Sequence, residues 1–178
     1  MRVRAAALPT FVLILFVSTI GFAQAQAPKA SKDTILNAAD IPASLYPERV
    51  FFRGKTAPTQ HRNTAGVHFA DDMYVLAGLV DSSGYATSVK EKYQAYLITE
   101  VPLEIAGQHV NPGAYGFGFL SDGKFVLMDL GNHDLFRADA HHDADMKHPV
   151  PFQIVAGSSE GSYLIYSGRN SIEFKRAQ

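Results

Sequence analysis

Cysteine is absent from all 178 residues. That one absence removes disulfides, thiolate metal ligands, cysteine nucleophiles and lipid attachment at a cysteine. Charge is sparse and balanced, with 16 Lys+Arg against 17 Asp+Glu and 19% charged residues in total. No basic stripe therefore draws the chain to nucleic acid. The longest apolar run, Leu8 to Phe22, falls short of the roughly 20 residues a membrane-spanning helix needs. The zinc spacing H-E-x-x-H, the calcium loop D-x-D-x-D-G and a glycine-rich phosphate loop opening a helix are all missing, and no internal repeat is present.

What is present begins with an address. Arg2 and Arg4 precede the apolar run, and Ala23-Gln24-Ala25 follows it as a small-x-small site, the layout of a secretory signal peptide. Residues 1–25 are read as that signal, with cleavage after Ala25 or, because the pattern repeats, after Ala27. A leader carrying two basic residues and no acidic one leaves 153 residues, with 14 Lys+Arg against 17 Asp+Glu and a formal charge of −3. An exported domain without disulfides must be held by its core, and an apolar fraction of 47% with 12 Phe and 8 Tyr can supply one. Small extracellular animal domains are commonly disulfide-stapled, so a bacterial periplasmic or extracellular setting is expected. Stable membrane insertion after signal cleavage is not.

Residues 26–48 read as a flexible N-terminal segment, with Thr34 to Ala39 as a short helical turn and Pro42 and Pro47 bracketing a loop. From 49 to 178 the pattern is a single β-rich domain of short runs separated by turn residues. Val50–Phe52 reads as a first strand, Lys55 to Ala65 as a polar loop and Gly66–Ala70 as a second strand. Met73–Val80 is a near-continuous apolar run that reads as a strand buried on both faces or as a short buried helix, and Lys92–Val101 is a long strand rich in Tyr, Ile, Thr and Val. Tyr115, Phe117 and Phe119 then alternate with Gly116 and Gly118, and Asp122-Gly123 turns the chain into Phe125–Leu130. Pro151–Ala156, Tyr163–Tyr166 and Ile172–Phe174 complete the series. Many short strands with little helical periodicity predict an all-β fold, an antiparallel, jelly-roll-like β-sandwich or alternatively a closed β-barrel.

Two stretches are candidate sites. Gly116 and Gly118 leave one face of their strand bare while Tyr115 and Phe117 load the other, so this strand could floor a binding groove unless Tyr93 or Tyr96 covers it from within. The segment 132–148 holds four of the seven histidines with four aspartates, and imidazole with carboxylate suits zinc or a similar divalent ion. His133, His141, His142, Asp143 and His148 are its candidate ligands; on a helix, His141, Asp145 and His148 would share one face. A solvated connection between sheets would look the same. Gly157-Ser158-Ser159-Glu160-Gly161 matches the nucleophile elbow G-x-S-x-G in letters, but Ser159 leads into a strand and no histidine follows it, so neither the elbow nor the Ser-acid-His order is met.

Gly107, Val110, Gly113 and Tyr115, followed by the Phe/Gly strand and the Asp122-Gly123-Lys124 hairpin, resemble the G-x-x-V/L-x-x-G-x-Y element of exported bacterial all-β domains of uncharacterised function. The resemblance covers about 30 residues; it implies an all-β fold and an envelope location, and carries no catalytic residue over. The expectation is thus a non-catalytic module that binds a small molecule or another envelope protein, without a required cofactor. A metal-binding protein or metal-dependent enzyme built on residues 132–148 is the alternative.

Overall fold

The computed structural model describes residues 32–178; the expected signal peptide and its cleavage sites lie outside the described residues. Fourteen strands and one short helix are present among them: β1 (Thr34–Asn37), β2 (Arg49–Phe52), β3 (Lys55–His68), β4 (Tyr74–Val80), α1 (Thr87–Lys90), β5 (Ala95–Thr99), β6 (Leu103–Ile105), β7 (Gln108–Val110), β8 (Gly113–Phe119), β9 (Lys124–Met128), β10 (Asp134–Asp139), β11 (His141–His142), β12 (Gln153–Ala156), β13 (Ser162–Ser167) and β14 (Asn170–Arg176). All pairings are antiparallel. An eight-stranded sheet runs β1-β3-β4-β5-β8-β9-β10 with β2 beside β3, and a six-stranded sheet runs β12-β13-β14-β6-β7 with β11 beside β14. The fold is an all-β sandwich; the sheets do not close into a barrel.

Alternation along the strands sets what fills the space between the sheets. Ala65, Val67, Val75, Ala77, Leu97, Phe117, Phe125 and Leu127 from the large sheet meet Leu103, Ile105, Ile154, Ile165, Ile172 and Phe174 from the small one. Their neighbours along β3, β4, β5, β8 and β9 point the other way. That outer face is buried too, beneath Val50, Phe52, Tyr85, Val89 and Tyr93 in one cluster and Ile41 and Tyr46 in another. The large sheet is therefore covered on both sides, which explains why Tyr74–Val80 is apolar almost throughout.

The structure departs from the sequence pattern at four places. Thr34–Asn37 is a strand paired with Ala65–His68, not a helical turn; Leu36 packs with Ile41, Tyr46 and Leu76, and this tertiary contact outweighs local preference. The strand ends where the Asn37 amide donates to an Asp40 carboxylate oxygen and the Ala39 amide to the Asn37 side chain. Residues 41–46 are likewise a packed cover, with Tyr46 donating its hydroxyl to the Tyr96 carbonyl at 2.9 Å. The polar stretch from Lys55 is no loop: β3 is 14 residues long, its first part pairing with β2 across Arg53 and Gly54, both in the left-handed region at φ 47° and 75°. Its polar residues belong to a stretch with an irregular register between Thr59 and Thr64. Finally, Lys92 belongs to the turn after α1, and the strand starts only at Ala95.

Candidate functional site

The face of β8 at Gly116 and Gly118 is filled by the chain itself. A Cβ on Gly116 would lie 2.5 Å from a ring carbon of Phe52 and 3.0 Å from one of Tyr93. Those rings stack with centroids 3.9 Å apart and planes 12° from parallel. At Gly118 a Cβ would meet the Lys92 carbonyl oxygen and the Gln94 side chain. The expected groove is thus occupied, and Tyr93 is the cover, whereas Tyr96 lies in the sheet beside Gly116. On the other side of the strand, Phe117 is in the inter-sheet core and the half-buried Tyr115 donates its hydroxyl to the Asn111 carbonyl at 2.8 Å.

The histidine-rich segment is not a helix and its members do not converge. His133 sits in the turn before β10, 80% exposed, its Nδ1 2.9 Å from Asp129. The Asp129 carboxylate also accepts the Gly131 and His133 amides. Hydrogen bonds from His133, backbone first and then ring, hold this carboxyl below its ordinary pKa. His141 and His142 are consecutive strand residues, so their side chains leave opposite faces; His142 Nδ1 is 2.8 Å from the Asn170 amide oxygen. Asp143 is half-buried after β11 and His148 is exposed in the following loop. Among the described residues no three His, Asp or Glu side chains are grouped so as to hold a metal ion.

What the tight packing at Gly118 creates lies beside it. Because the backbone at Lys92 approaches β8 so closely, the Gln94 side chain can lie along Phe119, accepting its amide at 3.0 Å and donating to its carbonyl at 2.9 Å. Gln94 thus satisfies the side of the strand end that β5 does not reach, the other side being paired with β9. The chain then leaves the sheet, and a cleft of about 690 Å³ opens between α1, the β8–β9 turn and β10. Ser88, Glu91 and Lys92 form one wall, Ser121 and Asp122 a second, and Arg137 and Asn170 a third.

Two of its lining cations, Lys92 and Arg137, are both held by Asp134, which lies behind the lining. Lys92 donates to one carboxylate oxygen at 2.5 Å, and the Arg137 Nε and Nη2 donate to the other at 3.0 and 2.7 Å. Burial by itself would raise the Asp134 pKa, but the hydrogen bonds from Lys92 and Arg137 outweigh it and hold the carboxyl below its ordinary value. The Lys92–Asp134 pair is partly buried, with Lys92 22% and Asp134 27% exposed, whereas Arg137 is 47% exposed and is tied to the same carboxylate by its two hydrogen bonds. Asp134 neutralises one of the two cations, leaving one positive charge together with the carboxylates of Glu91 and Asp122. The cleft offers fixed donors and acceptors of both signs.

A second concavity lies on the outer face of the small sheet. A groove of about 550 Å³ around Leu164, Ser171 and Glu173 adjoins a smaller one of about 180 Å³ at Glu104 and Lys175, the two sharing Ala106, Ser158 and Glu173. His141 and Asp139 stand at its end. The Gly157–Gly161 loop contributes Ser158 to this groove, while Ser159 gives its amide to the Ser162 hydroxyl; the stretch is a turn into β13, as its sequence context indicates.

Neither concavity was legible as a site. The cleft is assembled from four separate stretches whose residues are individually ordinary surface types, and only the Asp122-Gly123 turn signal marked one of its walls. Comparisons of the chain with protein-family models, curated proteins and solved structures return no match.

Proposed function

We propose that the protein is an exported, non-catalytic binding module whose recognition site is the cleft between α1, the β8–β9 turn and β10. The observation that carries this reading is the Lys92–Asp134–Arg137 arrangement, two cations of the cleft lining tied to one partly buried carboxylate, in a cleft large enough for a small molecule. Pre-set charges lose little freedom when a ligand arrives, which favours affinity. A polar ligand with both hydrogen-bond donors and acceptors suits walls that carry Arg137 and Lys92 together with Glu91 and Asp122. Export rests on the leader pattern of residues 1–25.

The test is a titration of the purified protein with monosaccharides, dicarboxylates and amino acids, followed by amide chemical shifts. Saturable changes at Ser88, Glu91, Asp122 and Arg137 are expected for at least one class, and Arg137→Ala should abolish them while leaving the melting temperature nearly unchanged. Turnover of a hydrolase substrate, lost on mutating His133 and Asp129 together, would replace this reading with an enzymatic one. Expression of the full chain in a bacterial host, with fractionation and mass spectrometry of the N-terminus, tests export; a product retaining Met1 in the cytoplasm would refute it.

A further inference from the structure

We infer that the outer groove of the six-stranded sheet is a second binding site, for a ligand that carries an ammonium or guanidinium group on an apolar stem. Three independent features meet there. The groove is floored by the half-buried Leu164, with Ala106 at its edge, a surface that takes up methylene groups. Its rim is acidic, with Asp139 at one end, Glu104 at the other and Glu173 between them. Ser171 in its lining is fully buried, and its hydroxyl has no hydrogen-bond partner among the described residues.

The carboxylates are not equivalent. Glu104 is paired with Lys175 at 3.1 Å and Asp139 with Lys124 at 2.6 Å. Glu173, shared by both parts of the groove, has no cation within ion-pair distance among the described residues. Its carboxylate lies beside the Gly157 backbone, where an added Cβ would first strike the Ser162 hydroxyl and backbone and would also come within 3.1 Å of a Glu173 oxygen. An incoming cation would pair the one carboxylate of this groove that has no ion-pair partner among the described residues, and a charge-assisted hydrogen bond there is stronger than a neutral one. The buried Ser171 hydroxyl, which can donate or accept, marks a polar point in the apolar floor.

This site shares no lining residue with the cleft at Arg137, so the two stand or fall separately. The test is an amide-shift titration of the protein with n-hexylammonium chloride and with 1-hexanol, which share the stem and differ in the charged head. Saturable shifts at Ala106, Ser158, Ser171 and Glu173 are expected, with hexylammonium about tenfold tighter than hexanol, the difference one charged hydrogen bond makes. Glu173→Gln should reduce the amine to the level of the alcohol, whereas Glu91→Gln in the other cleft should leave the preference intact. A third arm with N-acetyl-leucyl-lysinamide separates sources: tighter binding than hexylammonium assigns a basic peptide side chain, and weaker binding assigns a free alkylamine. Equal affinity for alcohol and amine, an unchanged preference in Glu173→Gln, or no saturable shift at these residues would overturn the inference.

Discussion

The two outer faces of the sandwich are built on the same alternating strands and end in opposite states. On the large sheet, the outer row Thr64, Gly78, Tyr96, Gly116 and Met128 runs strand to strand in register, and residues 41–52 and 85–93 are packed down on it. Glycine occurs in that row where an aromatic ring descends: Tyr46 approaches Gly78, and Phe52 and Tyr93 approach Gly116. On the small sheet, the outer positions Leu164, Ser171, Glu173 and Lys175 form an open groove. Side-chain absence thus marks the covered face, and side-chain charge marks the open one.

The contrast is broken most directly by truncating one residue on each face. Phe52→Ala removes a fully buried ring stacked on Tyr93 and should cost about 3–5 kcal/mol. Leu164→Ala, in the open groove, should cost less than about 1 kcal/mol. Urea unfolding of both variants checks this, and comparable losses would mean that the outer layer over Gly116 is not part of the cooperative core.

Adding a methyl group tests the same geometry from the other side. Gly116→Ala places a Cβ against Phe52 and Tyr93 and should destabilise by about 1–3 kcal/mol through overpacking. Phe52→Leu in the same chain gives the methyl room, so the double variant should be more stable than the sum of the single losses. Strictly additive losses would show that the clash is relieved elsewhere. This pair of residues also shows what a sequence can and cannot carry. The alternation of Tyr115, Phe117 and Phe119 with glycine identified β8 and its hairpin, because period-two patterning is local. That Phe52, 64 positions earlier, fills the space over Gly116 depends on how β2 returns across the sheet, which no local pattern encodes. The 55–65 stretch failed for a related reason: strand β3 there is polar because its neighbour β2 is short and much of its surface is wet. The cleft lined by Arg137 was not legible as a unit, since Lys92, Asp122 and Arg137 line one cleft only once the β8–β9 turn, α1 and β10 are placed.

Alkaline pH separates the covered face by charge. Burial raises the phenol pKa values of Tyr46 and Tyr93, and for Tyr163 burial is joined by its hydrogen bond to Asp33. With a folded-state pKa above the unfolded value near 10, the folded protein holds these protons more tightly than the unfolded chain does. The stabilisation is complete below about pH 10 and is lost progressively as pH rises beyond it. Unfolding midpoints measured from pH 8 to 12 should therefore fall steeply above 10, and less steeply in Tyr46→Phe. At pH 7 that variant should lose about 1–3 kcal/mol, because the Tyr96 carbonyl keeps its burial and loses its donor. An unaltered alkaline slope would show that Tyr46 ionises without unfolding the cover.

The smallest effects are expected where the sequence looked most chemical. His141, His142 and His148 are exposed and lie apart from His133, so alanine at each of the three should change stability by no more than about 0.5 kcal/mol. Adding zinc should not raise the unfolding midpoint, since an ion raises it only by binding the folded state more tightly than the unfolded one. Surface imidazoles spaced along an edge can still take up zinc singly and weakly, but such binding is available equally to the unfolded chain and cancels. A zinc-dependent rise abolished by His141→Ala or His142→Ala would require these side chains to converge, against the opposite faces that consecutive strand positions give them. Density of histidine and aspartate along a chain therefore predicts a metal site only when the backbone period matches the spacing, and across β10 and β11 it does not.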